Sequence, residues 1–477
     1  MQQGDTIAAI ATPPGEGGIG IVRLSGRTAL EVAEKVFHAA SGRALASYDN
    51  YRAVYGHVVT EAGETIDEAL ALIMRAPHSY TCEDVVELQC HGGPMPLRRT
   101  LGLCLAAGAR LAERGEFTKR AFLNGRLDLA QAASVMDVIS ARTSSALRLA
   151  SGHLAGHFSG RIRGLREQLL AEISHIEATI DFPEDGVEDV VGQELETTLA
   201  TVRQDIAAML ATAQTGRILR EGLETAIIGR PNVGKSSLLN ALLREERAIV
   251  TDIPGTTRDA IAEYADIFGV PLHIVDTAGI RETDDVVERL GVERSRAAAE
   301  QAALVLALFD GSSPLTAEDD AILELAARAG QHVILLLTKA DLPSVTTEAA
   351  LRQALTAARQ TAAAEVGQGE EMPAIISIST ANDTGLDELA TAIKKIAYAG
   401  AAEGAEDYFV SDERQAAILR AADRELAAAE DTLAQGIGLD FVSIDIRSGW
   451  EKLGELIGET VGDDIIDDIF SRFCIGK

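Results

Sequence analysis

The sequence predicts a multidomain α/β protein: an N-terminal α+β domain, a discontinuous helical bundle, and a P-loop α/β domain inserted into that bundle. Three observations predict it. Residues 222 to roughly 397 alternate apolar strand-like runs with helical runs, as a parallel sheet covered by helices requires. On either side, from about Leu127 to Ile218 and again after the Gly/Ala-rich stretch 400–405, apolar residues recur at three- and four-residue spacings. The first 124 residues mix strands and helices with no repeating strand–helix period. The simplest division is 1–124, 125–221, 222–399 and 400–477, and an insert of this kind requires its ends, Gly222 and Gly400, to lie close together.

Each element has a local reason. Thr6 to Ala11 and Ile19 to Leu24 are strand candidates, parted by the Pro/Gly loop 13–18. Ala29 to Phe37 has helical periodicity. Ala53 to Val59, Glu68 to Met74 and Asp84 to Leu88 read as strands, His91-Gly92-Gly93 as punctuation, and Met95 to Ala107 as a helix. Asp128 to Ser151, Leu154 to Ile180 and Gly192 to Arg217 each read as one long helical run. In the insert, strands are expected at Thr225–Ile228, Ala262–Phe268, Leu272–Asp276, Ala303–Phe309, His332–Leu337 and Ala374–Ile378. Helical pattern returns at Ser411 to Gln435, Phe441 to Gly449 and Trp450 to Val461.

Composition narrows the function. The chain has 477 residues, 43 basic against 73 acidic, for a formal charge of −30. That argues against indiscriminate nucleic-acid binding. It does not exclude a local basic patch, and the sequence holds one: Arg98, Arg99, Arg110, Arg114, Lys119, Arg120 and Arg126 stand against only Glu113 and Glu116, and Arg142 to Arg166 holds five arginines and no carboxylate. Solvated helix faces are the alternative. The acidic segment Glu459 to Asp468 reads as a partner-binding stretch or, in preference, a solvated face. Cys82, Cys90, Cys104 and Cys474 show neither CxxC pairing nor zinc spacing, which fits reduced thiols in a cytosol. No signal peptide or membrane-spanning run is evident, so a cytoplasmic location is expected.

The chemistry concentrates in Gly229-Arg230-Pro231-Asn232-Val233-Gly234-Lys235-Ser236, a match to G-x-x-x-x-G-K-[ST] between a strand and a helix. Unpaired N–H groups at the helix start and the helix dipole favour a phosphate there. Lys235 would reach the β/γ-phosphates, Ser236 would ligate Mg2+, and Ser237 continues the loop into the helix. Asp276-Thr277-Ala278-Gly279 ends an apolar strand, placing Asp276 for Mg2+ through a water and Gly279 for the γ-phosphate. The polar loop that runs from Thr251-Asp252-Ile253-Pro254 into Gly255-Thr256-Thr257-Arg258-Asp259 lies between the phosphate loop and Asp276; its Gly255 to Asp259 stretch would close over the γ-phosphate, with Thr257 completing the Mg2+ shell. Thr338-Lys339-Ala340-Asp341 follows another strand. Asp341 would accept from guanine N1 and N2, donors adenine lacks. Ser379-Thr380-Ala381 would support the base through backbone amides. Thr338 stands where such a motif normally has Asn, and offers fewer donors. Ras-like proteins orient water with Gln after Asp-x-x-Gly; here Ile280 occupies that position. A monovalent cation could supply the missing charge, caged by Asn232 and by oxygens of Thr251 to Thr256, with Glu288 positioning water; Asn232 as a plain turn residue is the alternative.

The chain also resembles the tRNA modification GTPase MnmE (TrmE) family. The resemblance is carried by Ala11-Thr12-Pro13-Pro14-Gly15, Glu87-Leu88-Gln89-Cys90-His91-Gly92-Gly93, Gly115 to Asn124, Leu127 to Ala132, the phosphate loop, Thr251 to Asp259, and Phe473-Cys474-Ile475-Gly476-Lys477. It covers the chain end to end. It implies a Ras-like GTPase domain, an N-terminal tetrahydrofolate-binding and dimerisation domain, a homodimer, and K+-stimulated GTP hydrolysis. It further implies work with the FAD-dependent partner MnmG to place a carboxymethylaminomethyl-type group on carbon 5 of the tRNA wobble uridine, the one-carbon unit coming from 5-formyl- or methylene-tetrahydrofolate. Position by position, Asn232, Thr251, Ile253 and Thr256 match the family's K+ ligands, Ser236 and Thr257 its Mg2+ ligands, and Glu288 its catalytic glutamate. Arg23, Glu87, Arg126 and Lys477 match the folate contacts, with Arg126 where some members have Lys. Cys474 matches a cysteine implicated in modification; a passive thiol is the alternative. The rival reading is a ribosome-assembly or translational switch of the Era type, without one-carbon chemistry.

Overall fold

The computed structural model describes residues 4–181, 188–244, 263–275, 299–328, 332–362, 372–399, 401 and 408–477. Gly400 lies outside them. The chain forms two compact units, one of Met1–Met136, His153–Thr198 and Arg424–Lys477, the other of Asp137–Gly152 and Leu199–Asp423.

The first unit holds a seven-stranded sheet: β1 (Ile7–Ile10), β2 (Gly17–Ser25), β3 (Phe37–Ala39), β4 (Arg52–Val59), β5 (Thr65–Met74), β6 (Val85–Gly92) and β7 (Arg110–Leu111), in the order β3-β4-β5-β6-β2-β1-β7. Pairing is antiparallel except between β1 and β7. Side chains alternate across each strand. Val22, Leu24 and Leu88 therefore share a core with Val32 of α1 (Ala29–Val36) and Leu97 of α2 (Pro94–Ala106). Ile7 and Ala9 point to the opposite face, where Phe117 of α3 (Glu116–Leu123) and Tyr80 cover them. Arg23 and Glu87 are register partners of β2 and β6 on that second face. The sixth strand runs on through His91 to Gly92, beyond the expected end at Leu88, because Gly17 of β2 pairs with Gly92.

Helices α4 (Leu129–Ser140), α5 (Ser144–Ala155), α6 (His157–Asp181), α7 (Glu188–Ala211) and α8 (Ala213–Glu221) follow. The expected single run Asp128 to Ser151 is two helices. Thr143 Oγ1 accepts from Ala146 N at 3.1 Å and so starts a new helix. Gly192 to Arg217 likewise divides at Thr212, whose hydroxyl donates to Met209 O at 2.6 Å and accepts from Val410 N at 3.0 Å. The reverse holds near the end of the chain. The two runs Phe441 to Gly449 and Trp450 to Val461 are one helix, Leu439–Ile457, with Gly449 buried inside it. It packs on α6, and that packing outweighs the helix-weakening glycine.

Several cations of the basic runs are paired inside the first unit. Arg110 and Arg120 both bond the buried Glu116, at 2.6 and 3.0 Å, and both bond Asp5. Lys119 pairs with Asp467, Arg163 with Asp128 at 2.6 Å, and Arg166 with Glu459. Two carboxylates of the acidic segment, Glu459 and Asp467, thus have their partners within the same chain.

The second unit holds a six-stranded sheet of β8 (Leu223–Gly229), β9 (Glu263–Ile267), β10 (Val270–Val275), β11 (Leu304–Asp310), β12 (His332–Thr338) and β13 (Ala374–Ser377). Its order is β13-β12-β11-β8-β10-β9, parallel except for β9. Every residue of β11 is buried, as expected of a central strand covered on both faces. One face carries α9 (Lys235–Arg244) and Leu386–Ala397; the other carries α10 (Ala317–Arg328) and α11 (Glu348–Ala362). The chain moves from β8 to β10 on one side and then to β11 on the other. This order reverses at β8, and ligands of such sheets bind at the carboxyl ends of strands beside the reversal.

Candidate nucleotide site and C-terminal tail site

The phosphate loop leaves β8 at Gly229 and enters α9 at Lys235. Two residues between them are left-handed, Asn232 with φ 57° and Gly234 with φ 109°. Asn tolerates that conformation through its short polar side chain, while at Gly234 any Cβ would strain the backbone. A loop with such residues at the start of a helix is a backbone setting that can cradle an anion. Asn232 and Ser236 are exposed, and Val233 is buried against the core. Lys235 Nζ folds back to donate to Gly229 O at 2.6 Å and to Arg230 O at 2.9 Å. Burial pushes its pKa below the usual lysine range, with Glu318 pulling the other way.

The ends of β12 and β11 meet this loop. Thr338, at the end of β12, donates to Val233 O at 2.7 Å and has Phe309 O at 3.1 Å. The residue that departs from the usual Asn thus still ties the base loop to the phosphate loop. Lys339 is left-handed, with φ 60°, and its ammonium bonds Asp310 Oδ2 at 2.7 Å. Asp341 Oδ1 accepts from Ser379 Oγ at 2.6 Å. Ser379 Oγ in turn accepts from Ala381 N and Asn382 N, each at 3.3 Å, so the expected base-supporting amide of Ala381 faces a serine hydroxyl in this structure. Thr380 lies in the same turn. Asp310 carries no expectation from the sequence. Its only signal there is a carboxylate ending an apolar run, the pattern that singles out Asp276. Thr251, Asp252, Ile253, Pro254, Gly255, Thr256, Thr257, Asp276, Thr277, Ala278, Gly279 and Glu288 lie outside the described residues.

The first unit brings Arg23, Glu87, Arg126 and Lys477 together. Arg23 Nε donates to Glu87 Oε1 at 2.8 Å, and Arg23 Nη1 reaches Gly476 O at 3.4 Å. Tyr80 is shared: the Arg23 guanidinium lies 5.6 Å and the Arg126 guanidinium 5.0 Å from its ring centroid. Phe117 lies 5.6 Å from Arg23 on another side. The tail reaches this place through the helix Asp463–Ser471, whose Phe470, with Phe473, packs against Leu129 and Val135. Residues 474–477 then run beside 114–117: Gly115 N donates to Cys474 O at 3.3 Å, and Phe117 N to Lys477 O at 3.2 Å. Gly115, at the start of α3, has no side chain to cap the helix, and the tail carbonyl supplies the acceptor. Gly476 has φ 96° and would place a Cβ 2.3 Å from Ile10 O, so only glycine fits there. Burial pushes the Lys477 pKa down, and Arg23 adds to it, against the pull of Glu87 and Cys474. Cys474 is exposed. Three cations around one carboxylate leave the cluster net positive, a setting for an anionic ligand. Tyr80 gave no signal in the sequence, and Phe117 entered there only within the family-like run Gly115 to Asn124.

A phosphate loop on a parallel sheet, with Asp341 braced at the neighbouring strand ends, defines the class: a P-loop nucleotide-binding α/β domain, joined here to an N-terminal α+β domain and helices. Two family descriptions match, "GTP-binding protein TrmE N-terminus" over residues 6–126 and "MnmE helical domain" over residues 129–474. Relatives named tRNA modification GTPase MnmE are 49% identical in Heliobacterium modesticaldum, over 99% of this chain and 100% of the relative, and 45% identical in Bacillus subtilis, over 99% and 100%. A third, from Symbiobacterium thermophilum, is 49% identical over 99% of both. The chain belongs to the MnmE family.

Proposed function

We propose that this chain is a GTP hydrolase acting in tRNA modification, and that GTP cleavage serves a reaction at the wobble uridine. The observation that carries the nucleotide part is the tie of Asp341 to Ser379 beside a phosphate loop that Thr338 holds in register. A carboxylate fixed there accepts two donors from guanine and none from the same edge of adenine. Lys235 is already desolvated, and the loop carbonyls it now bonds are weaker partners than a phosphate would be. Ser236, exposed in the first turn of α9, has the hydroxyl to hold Mg2+, with Thr257 as its second protein ligand. Asn232, exposed and left-handed, offers a carboxamide oxygen of the kind a K+ ion takes, together with Thr251, Ile253 and Thr256. When bound, these ions neutralise charge on the phosphates. Glu288 is assigned to orienting the attacking water. The test is turnover of GTP and ATP by the full chain in KCl and in NaCl at equal ionic strength. Turnover of GTP alone, faster in KCl, is expected; equal rates in the two salts would remove the role given to Asn232.

The finer reading concerns the first unit. The net-positive cluster of Arg23, Arg126 and Lys477 around Glu87 suits a tetrahydrofolate, whose glutamate tail needs cations and whose pterin donates to a carboxylate. Cys474, exposed beside it, is available to act on a one-carbon unit. We assign to the chain a homodimeric state, the flavoprotein partner MnmG, tRNA as substrate and a cytoplasmic location. Calorimetric titration with 5-formyl-tetrahydrofolate separates this from an Era-type switch, which would give no heat. Mass spectrometry of wobble uridine from cells lacking the chain tests the modification itself.

A further inference from the structure

Asp310 belongs to neither the phosphate loop nor the base-reading Asp341, yet it is buried at the carboxyl end of β11, next to the strand-order reversal. Both of its oxygens are used. Oδ1 accepts from Ser312 N at 2.9 Å and from Ser312 Oγ at 2.6 Å. Oδ2 accepts from Lys339 Nζ at 2.7 Å and lies 3.6 Å from Arg230 Nη2. Arg230 is the second residue of the phosphate loop. It also donates to Ser313 Oγ, and its Nε lies 3.5 Å from Oδ1 of the buried Asp319, the residue that caps α10 by accepting from Thr316 N at 2.9 Å. One carboxylate thus joins the phosphate loop, the turn after β11 and the base loop.

We propose that Asp310 is a positioning residue for the guanine nucleotide: it fixes the Lys339 ammonium and steadies Arg230, so that the base and phosphate ends of the site are set in one geometry. This role rests on the nucleotide reading of the same site. Lys339 is held at both ends. Its backbone is left-handed, a conformation a lysine leaves readily unless constrained, and its head is bonded to Asp310. The aliphatic stem between them immediately precedes Ala340 and Asp341, so its position governs the wall beside the base that Asp341 reads. A loop ordered before the ligand arrives costs less to order on binding. The Lys339 bond and the Thr338–Val233 bond are complementary: the first ties the base loop to β11, the second to the phosphate loop.

The test is titration of the full chain with a fluorescent GDP in Mg2+ buffer, for the parent, Asp310→Asn, Lys339→Met and the double variant, with steady-state GTP turnover beside it. Asparagine keeps an acceptor for Ser312 and removes the charge that holds Lys339. Each single variant is expected to bind about tenfold more weakly, with the loss in kcat/KM falling on KM. In the double variant the second change is expected to add less than about twofold, because both remove one interaction. Asp310→Asn that folds and binds as the parent does, or losses that simply multiply in the double variant, would overturn the proposal. Should Asp310→Asn fail to fold, Lys339→Met alone must still show the loss, and unchanged affinity there overturns it too. A parent that binds no guanine nucleotide would sink the nucleotide reading itself and this inference with it, an outcome distinct from a parent that binds and variants that bind equally.

Discussion

The nucleotide site and the tail site are constructed in contrasting ways. The phosphate loop is one run of eight residues, 229–236, shaped by its own strand, two left-handed residues and the helix that follows. The tail site gathers Arg23, Glu87, Tyr80, Arg126 and Lys477 from separate segments, and its Arg23–Gly476 contact spans 453 positions of sequence. The difference teaches where each is vulnerable. A local motif fails by losing one chemical group. A gathered site fails when any element that carries a member shifts, even if every charged group is still present.

The variants that follow break or sharpen that contrast. Lys235→Ala removes the one cation of the phosphate loop helix start while leaving the backbone turn; GTP turnover is expected to fall about 10²–10³-fold, with the thermal midpoint nearly unchanged. A phosphate-release assay run beside a melting curve checks both. Glu87→Ala should do the converse: it strands Arg23, whose side chain is 16% exposed, and is expected to cost about 3 kcal/mol of stability. Denaturant unfolding of the full chain, following the first unit, reads it, and a loss below about 1 kcal/mol would mean that Arg23 finds another partner.

Gly476→Ala tests the gathering itself, since it alters no charge. The added Cβ meets Ile10 O and the backbone is left-handed, so the tail is expected to lift at a cost of about 1–3 kcal/mol. Faster hydrogen exchange at the Phe117 amide, which now donates to Lys477 O, is the signature. The smallest effect is on pH. Burial would raise the Asp310 pKa, but Lys339 and Ser312 hold it down to about 2 against an ordinary 3.8. Its folded value is depressed, so the stability it gives is present above about pH 4 and is lost as pH falls through about 2. Acid unfolding of Asp310→Asn should be less steep across that window than that of the parent.

Much of the second unit was legible. Apolar runs such as Ala303 to Phe309 mark buried strands because a parallel sheet is covered on both faces, and β11 is buried throughout. The pattern was less able to mark where helices stop. Asp128 to Ser151 reads as one helix because Ser and Thr fit helical spacing, and the cap at Thr143 is a hydrogen bond that no spacing announces. Gly449 reads as a break because isolated helices disfavour glycine, yet packing on α6 carries the helix through it. The basic runs look like an open patch in sequence, since their partners Asp5, Asp128, Glu459 and Asp467 are distant along the chain.

The phosphate-loop turn, and the strand and helix that flank it, follow from sequence alone because each depends on neighbours a few residues away, and the same local reading offers Asp341 as a candidate for the base. The sequence also placed Arg23, Glu87, Arg126 and Lys477 as candidates, through likeness to a family. Only the tertiary structure decided that the tail caps α3 and joins Arg23, that Thr338 reaches the phosphate loop, and that Asp310 holds Lys339. The physical reason is range. Backbone conformation and helix dipoles act within a turn or two of chain, whereas ion pairs and caps form between whichever groups the packing of the core brings within about 3 Å.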